Sequence, residues 1–303
     1  MRLLNGERCE LQELQSRLRG TVSVHEPLAR HTSLRIGGPA KYFVIPAELE
    51  DISETLAFAQ DRGLPWIVLG NGTNVLFPDA GYRGVVIKMG PSLGRIELTE
   101  NRVRAQAGAS LAALISKVRS VGLHDLDFLV GIPGSVGGAL VMNAGIPEGQ
   151  IADVVTRVGA LTFDGKFITL TPEECRFGYR SSRFQGERLI VIEGEFALGT
   201  GKSWDGEALL RRRKERQPLG VPSPGCVFRN PAGVGATAGQ LIDRAGLKGY
   251  RVGGARISTK HANFIVNEGG ATSQDVLQLI DIARSVVLKY WGVELKLELA
   301  VVA

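Results

Sequence analysis

Two glycine-rich loops and a handful of polar side chains are the residues of this chain that could do chemistry. In Leu69-Gly70-Asn71-Gly72-Thr73-Asn74, glycines follow the apolar run Trp66–Leu69. Successive backbone N–H groups there can turn toward one point and hold a phosphate oxygen, with short hydrogen-bonding side chains from Thr73 and Asn74. The segment lacks the G-x-G-x-x-G and following acid of a Rossmann site, and the Gly-Lys-Ser/Thr ending of a P-loop. A simple tight turn is the plainer alternative. A second block, Gly131 to Gly145, lies in a stretch with six glycines in residues 131–149. Within it Gly134-Ser135-Val136-Gly137-Gly138 has no bulky side chain to keep a flat or anionic group away, though such a turn can also simply support helix packing. Two such loops in one half of the chain suit a dinucleotide with a pyrophosphate better than a single small ligand.

Three further segments carry reactive or charged groups. Phe177-Gly178-Tyr179-Arg180-Ser181-Ser182 sets a guanidinium beside an aromatic ring and two hydroxyls, enough to hold an anion and equally an ordinary surface pair. In Pro222-Ser-Pro-Gly-Cys226-Val-Phe-Arg-Asn230-Pro231, three prolines stiffen a loop around one cysteine. A rigid loop holds a side chain in one orientation, as a catalytic acid requires; a free cysteine is more commonly a small buried hydrophobe. Ile257 to Phe264 is dense in polar groups: Lys260 can face a phosphate, and His261 reads as a structural histidine. Glu298 sits in Leu295-Lys-Leu-Glu-Leu-Ala-Val-Val302, where strand alternation puts Lys296, Glu298 and Ala300 on one face; a solvent-facing glutamate on an edge strand is its ordinary explanation.

Composition narrows the setting. Glycine supplies 39 of 303 residues, about 13% against a usual share near 7%, without a collagen period. Apolar residues at 44% exclude a disordered chain. The charge balance of 36 − 31 = +5 permits an anionic ligand and calls for no nucleic acid. The basic run Arg211–Lys214, flanked by Glu207 and Glu215, reads as a solvated helix face. Three widely spaced cysteines, with no CxxC and no nearby histidine, argue against zinc or a disulfide framework. The first twenty residues carry three acids and no apolar core, unlike a signal peptide. The charge-free stretch Phe128 to Pro147 is broken by five glycines and two prolines, poor material for a membrane span. A cytoplasmic protein is the expectation.

The elements that must position these residues alternate in type. Helical spacing is expected over 8–20, 49–62, 111–121, 206–216, 238–245 and 273–291, the last capped by Ser273 and stopped by Gly292. Strands are expected at 42–45, 66–69, 85–88, 96–98, 103–107, 189–196, 264–267 and 293–302, with a hairpin around Asp164-Gly165 inside 154–170. Residues 25–40 read as irregular, 131–145 as a glycine-rich block and 199–203 as a linker. The class is α+β, with boundaries near 95 and 203.

Taken in order, Arg35-Ile-Gly-Gly-Pro-Ala40, Leu69 to Asn74, Gly131 to Gly138 with Asn143-Ala-Gly145, Tyr179-Arg-Ser-Ser182, Pro222 to Pro231, Ala245-Gly-Leu-Lys-Gly249 and Lys260-His-Ala-Asn-Phe-Ile-Val-Asn267 resemble the UDP-N-acetylenolpyruvoylglucosamine reductase family over residues 25–302. The resemblance implies a two-domain FAD-binding fold of the vanillyl-alcohol-oxidase (PCMH) type in 1–95 and 96–203, then an α+β substrate-binding domain in 204–303, in the compact subtype. It implies FAD and NADPH as cofactors, the enolpyruvyl ether of UDP-N-acetylglucosamine as substrate, peptidoglycan precursor synthesis as the setting, and a monomer. FAD contacts would fall on Gly70, Asn71, Gly72, Thr73, Asn74, Gly134, Ser135, Gly137, Gly138, Asn143 and Gly145. Arg180 matches the catalytic arginine that would stabilise developing charge, and Glu298 the C-terminal catalytic glutamate. Tyr179, Asn230 and Lys260 match substrate contacts.

Cys226 is the departure, since many members carry serine as proton donor there. A thiol with a reference pKa of about 8.5 is a far better acid than an alcohol, and it also opens the site to oxidation. Two other classes fit parts of the pattern. An oxygen-reactive carbohydrate oxidase of the same fold would need the glycine loops only, and a non-catalytic nucleotide-binding protein would show no flavin spectrum.

Overall fold

The computed structural model describes residues 5–201 and 203–302. The chain begins with α1 (Asn5–Arg17), β1 (Thr21–Pro27), β2 (Pro39–Ile45), α2 (Leu49–Asp61), β3 (Trp66–Leu69), β4 (Val75–Leu76) and β5 (Tyr82–Lys88). It continues through β6 (Ile96–Leu98), β7 (Arg102–Gln106), α3 (Leu111–Arg119), α4 (Val136–Met142), β8 (Gly145–Ile146), β9 (Gly149–Gln150), β10 (Val155–Thr162), β11 (Phe167–Leu170) and β12 (Leu189–Ala197). The last third holds α5 (Gly206–Arg216), α6 (Ala238–Arg244), β13 (Arg251–Val252), β14 (Ala255–Ile257), β15 (Ile265–Asn267), α7 (Ser273–Trp291) and β16 (Ala300–Val301). Two compact units result. One gathers the chain through Glu26 with Ala40–Asn71 and Arg83–Leu210; the other gathers Pro27–Pro39, Gly72–Tyr82 and the chain from Arg211 onward.

Among the described residues the first unit holds two larger sheets, the two-stranded pair β8-β9, and two cores. In the order β1-β2-β5-β3, β3 runs parallel to β5 with Trp66 opposite Val85 and Leu69 opposite Lys88. Leu14, Tyr42, Val44, Ile52, Leu56, Phe58 and Ile87 fill its core. The helical spacing of Ile52, Leu56 and Ala59 buries one stripe of α2 there. The second sheet, β11-β10-β12-β7-β6, is antiparallel. It packs with Leu111, Leu114, Val118, Val136 and Leu140 of α3 and α4 into a core of its own. The hairpin turn falls at Asp164-Gly165 as expected, with Gly165 at φ +79°.

In the second unit the antiparallel sheet β13-β14-β15 shares one core with α6 and α7. Leu34, Ile36 and Leu76 join that core, and β4 pairs in parallel with β16. Helix α7 ends at Gly292 in the left-handed region, φ +65°. Its N-cap is Thr272 rather than Ser273: Thr272 and Asp275 form a reciprocal capping box, while Ser273 Oγ bonds Asp79.

Three expectations change. Residues 21–27 form strand β1 where 25–40 read as irregular, with His25 at φ +54°. The glycine block contains α4, stabilised by the Ser135 cap and by burial of Val136, Ala139 and Leu140. Within 293–302 only Ala300–Val301 is strand, because β4 offers just two residues to pair with; Leu297 adds a single bridge to Phe228. The alternation of that segment holds in part: Leu295 and Leu299 are buried, Leu297 is half-buried and Val301 is exposed.

Candidate functional site

Strand β3 ends by delivering Gly70, whose carbonyl accepts from Lys88 Nζ on the neighbouring β5. Burial lowers the pKa of that lysine. A Cβ on Gly70 would lie 2.5 Å from Ser135 Oγ, so the two glycine loops of the sequence reading meet here. Ser135 is buried, caps α4, and accepts from Gly138 N–H at 3.3 Å. Gly137 N–H donates to Ala107 O at 3.0 Å, and Gly134 O accepts from Leu111 N–H at 3.1 Å. Gly138 and Asn71 are exposed. Residues 70–71 and 134–138 include no acid, and they meet as bare backbone, a hydroxyl and a lysine. That donor chemistry fits the pyrophosphate of FAD.

The rest of the first loop belongs to the second unit. Gly72 has φ +63°, and a Cβ there would fall 2.0 Å from His31 O, so only glycine fits. Thr73 is half-buried. Asn74 Nδ2 donates to Glu298 O at 3.0 Å, and Asn74 O accepts from Ala300 N–H at 3.2 Å. The Asn74 side chain thus holds the segment that bears Glu298, just ahead of β16.

Arg180 sits at φ +52° in a turn closed by the Gly178–Ser181 bridge. Its guanidinium donates to Gly145 O at 2.6 Å and Asn143 O at 3.4 Å, with its carbon 5.3 Å from the centre of the half-exposed Tyr179 ring. Ser182 Oγ donates to Val141 O at 2.7 Å, docking the turn on the C-terminal end of α4. Asn143 organises this junction. It is buried, ends α4 at φ +43°, donates to Gln150 Oε1 at 3.0 Å and Gly178 O at 2.9 Å, and accepts from Ala152 N–H at 3.0 Å. Expected as a cofactor contact, its side chain instead turns into the protein, because both amide hydrogens are taken up there. Gly145 likewise serves as the acceptor for Arg180.

In the second unit Cys226 and Glu298 lie on adjoining stretches of backbone. Val227 O accepts from Glu298 N–H at 2.8 Å and from Leu299 N–H at 3.2 Å, and Arg229 N–H donates to Lys296 O at 2.8 Å. On the other side Cys226 bridges Phe264, and Val227 N–H donates to Asn263 O at 2.9 Å. Cys226 and Glu298 are both half-buried. Asn230 is exposed, and its Oδ1 accepts from Ala238 N–H at 3.1 Å at the start of α6. Lys260 is exposed, and its ammonium donates to Lys214 O in the last turn of α5 at 2.5 Å. His261 is the structural histidine expected: Nδ1 accepts from Asn263 N–H at 3.2 Å, the ring packs 4.9 Å from Phe264, and burial lowers its pKa. Neither Lys88 nor Asn263 announces a role in the sequence: Asn263 lies within the Lys260–Asn267 motif, and Lys88 merely ends an apolar strand.

Comparison with known proteins supplies the family. A family model described as UDP-N-acetylenolpyruvoylglucosamine reductase, C-terminal domain, matches residues 217–302, and one described as FAD binding domain matches 40–171. A UDP-N-acetylenolpyruvoylglucosamine reductase of Heliobacterium modesticaldum is 44% identical over 94% of this chain and 91% of its own length. The crystal structure of the Thermus caldophilus reductase aligns with TM-score 0.77 at 37% identity, covering 94% of this chain and all of that one. A glucooligosaccharide oxidase of Acremonium strictum, at TM-score 0.50 and 14% identity, covers 97% of this chain and 60% of its own, and shares the fold. Among the described residues no helix is long and apolar enough to cross a membrane. The chain belongs to the UDP-N-acetylenolpyruvoylglucosamine reductase family and is an FAD-dependent oxidoreductase of mixed α+β fold.

Proposed function

We propose that this protein reduces the enolpyruvyl ether of UDP-N-acetylglucosamine to the lactyl ether of UDP-N-acetylmuramate, with NADPH as reductant, in peptidoglycan precursor synthesis. The hydride chemistry, acceptance from NADPH and delivery to the methylene carbon of the enol ether, is supplied by bound FAD. Gly70, Ser135 and Gly138 hold the pyrophosphate of that cofactor, Gly137 lets α4 pack close behind them, and Asn71, Gly72 and Thr73 complete the loop. Three parts divide the labour: 1–95 and 96–203 for FAD, 204–303 for substrate. The core around Leu140 draws its buried residues from 103–198, in keeping with the middle part, while the core around Ile280 also takes in Leu34, Ile36 and Leu76.

When the methylene carbon gains hydride, negative charge moves toward the carboxylate side of the substrate. Arg180, held by the Gly145 and Asn143 carbonyls, stabilises that charge with a fixed cation. The Cys226 thiol donates its proton to the neighbouring carbon, completing a net addition of hydride and proton across the double bond. Glu298 supports the developing enolate through a hydrogen bond, for which its carboxyl must be protonated or act through a bridging group. Tyr179, Asn230 and Lys260 contact the sugar nucleotide. The observation that supports this most directly is the backbone junction of Cys226 with Glu298 in the segment matched by the reductase C-terminal family.

The test is spectroscopic. The purified holoenzyme should show a flavin spectrum that NADPH bleaches, and adding the enolpyruvyl sugar nucleotide without oxygen should restore it. A protein whose reduced flavin is reoxidised by oxygen alone would be an oxidase of the same fold, and one with no flavin spectrum would be a plain nucleotide binder.

A further inference from the structure

Asn263 is 2% exposed, and both ends of its amide meet the main chain of one other residue. Its Oδ1 accepts from Phe228 N–H at 2.9 Å, and its Nδ2 donates to Phe228 O at 2.8 Å. The side chain therefore takes the place of one residue of a partner strand. Its backbone carbonyl accepts from Val227 N–H at 2.9 Å as well, so one residue grips the three successive peptide units that follow Cys226. Regular pairing does not do this work, because the segment makes only the isolated bridges Cys226–Phe264 and Phe228–Leu297. On its N-terminal side Cys226 follows Gly225, φ +82°, which brings no side chain to anchor the loop.

We infer that Asn263 is the positioning residue for Cys226, fixing the direction of its thiol through the Phe228 peptide. Removing the amide leaves a buried N–H and C=O without partners, and the loop regains them only by moving. A displacement of the donor by about an ångström costs on the order of 10- to 100-fold in rate. The functional half of this inference rests on Cys226 being the proton donor; the structural half does not.

The experiment uses the FAD-loaded enzyme with Asn263→Ala, Asn263→Asp as an isosteric second variant, and Ser273→Ala as a control that loosens the same unit at its Asp79 contact. Alkylation of Cys226 by iodoacetamide is followed across pH by peptide mass spectrometry, and flavin reduction by NADPH and reoxidation by substrate are followed in single turnovers. Both Asn263 variants should shift the alkylation pH profile and slow reoxidation by roughly tenfold or more, while flavin reduction stays within about twofold and Ser273→Ala leaves all three unchanged. Wild-type alkylation and reoxidation in both variants, or the same changes in Ser273→Ala, would overturn the inference. If Cys226→Ala reoxidises normally while Asn263 still controls the alkylation profile, the donor role falls and the hold of Asn263 on the thiol stands.

Discussion

The amide of Glu298 donates to the carbonyl of Val227 at 2.8 Å, one residue beyond Cys226. Two side chains far apart in sequence are thus set by a shared peptide junction, and Asn74 reaches the same junction through Glu298 O. Neither backbone segment can shift without disturbing the other. That coupling suits the proton-donor and carboxyl roles proposed for the two side chains.

Cys226→Ser should keep reoxidation of reduced flavin by substrate within about tenfold of wild type, since a hydroxyl can still donate. Cys226→Ala should lose about 10²- to 10⁴-fold, the usual contribution of a general acid. Reduction of flavin by NADPH should be unchanged in both. Equal reoxidation by the alanine variant in single turnovers would remove Cys226 from the mechanism.

Asn143 should matter through Arg180. Asn143→Gly keeps the left-handed backbone at φ +43° and deletes the bonds to Gly178 O, Gln150 and Ala152. Reoxidation should slow by roughly 10- to 100-fold as the arginine turn loosens. Asn143→Ala, with the added strain of a Cβ in that region, should be less stable than the glycine variant by about 1 kcal/mol. A glycine variant with wild-type kinetics would show that the turn holds Arg180 unaided.

Elements with strong local signals were readable, and elements made by tertiary partners were not. The helix at 273–291 declared itself through Val276, Ile280, Ala283 and Val287, and through Gly292 as its stop. Helix α4 did not, because glycine at 137 and 138 opposes helix formation locally and the segment forms only with its Ser135 cap and buried face. Strand β1 carries a positive-φ histidine and no clean alternation. At the site, the glycine loops and Cys226 stood out by type and spacing. The parts of Asn143 and Asn263 stayed hidden, since an asparagine looks alike whether it meets solvent, cofactor or a peptide 35 residues away.

Gly70→Ala should impair FAD retention, and the cause can be isolated. The new Cβ would sit 2.5 Å from Ser135 Oγ, which is held as the cap of α4. Overpacking of this kind costs about 1–3 kcal/mol, so FAD affinity should fall by roughly 5- to 150-fold if the loops separate to relieve it. Adding Ser135→Gly removes the hydroxyl at a cost of only a few tenths of a kcal/mol for the cap. The double variant should regain the stability lost to Gly70→Ala, measured as a urea midpoint, while its flavin content after gel filtration stays low for want of the Ser135 hydroxyl. A double variant no more stable than Gly70→Ala would mean that the clash lies with some group other than Ser135.

His261 should give the protein a stability loss on the acid side. Burial first, and the nearby Lys248 charge second, lower its pKa below the ordinary 6.5. The folded imidazole is also fixed as an acceptor, since Nδ1 receives Asn263 N–H, and protonation would end that bond. As pH falls through about 6.5 the unfolded chain takes up a proton that the folded chain refuses, so unfolding gains free energy and stability declines until the folded pKa is passed. Above that range the group is neutral in both states and contributes no slope. Urea midpoints measured from pH 8 to 5 should therefore fall more steeply in the wild type than in His261→Gln, whose side chain does not titrate. Because the ring also packs on Phe264, the variant should start lower at pH 8 and converge toward the wild type in acid. Parallel profiles would assign the acid limb to groups other than His261.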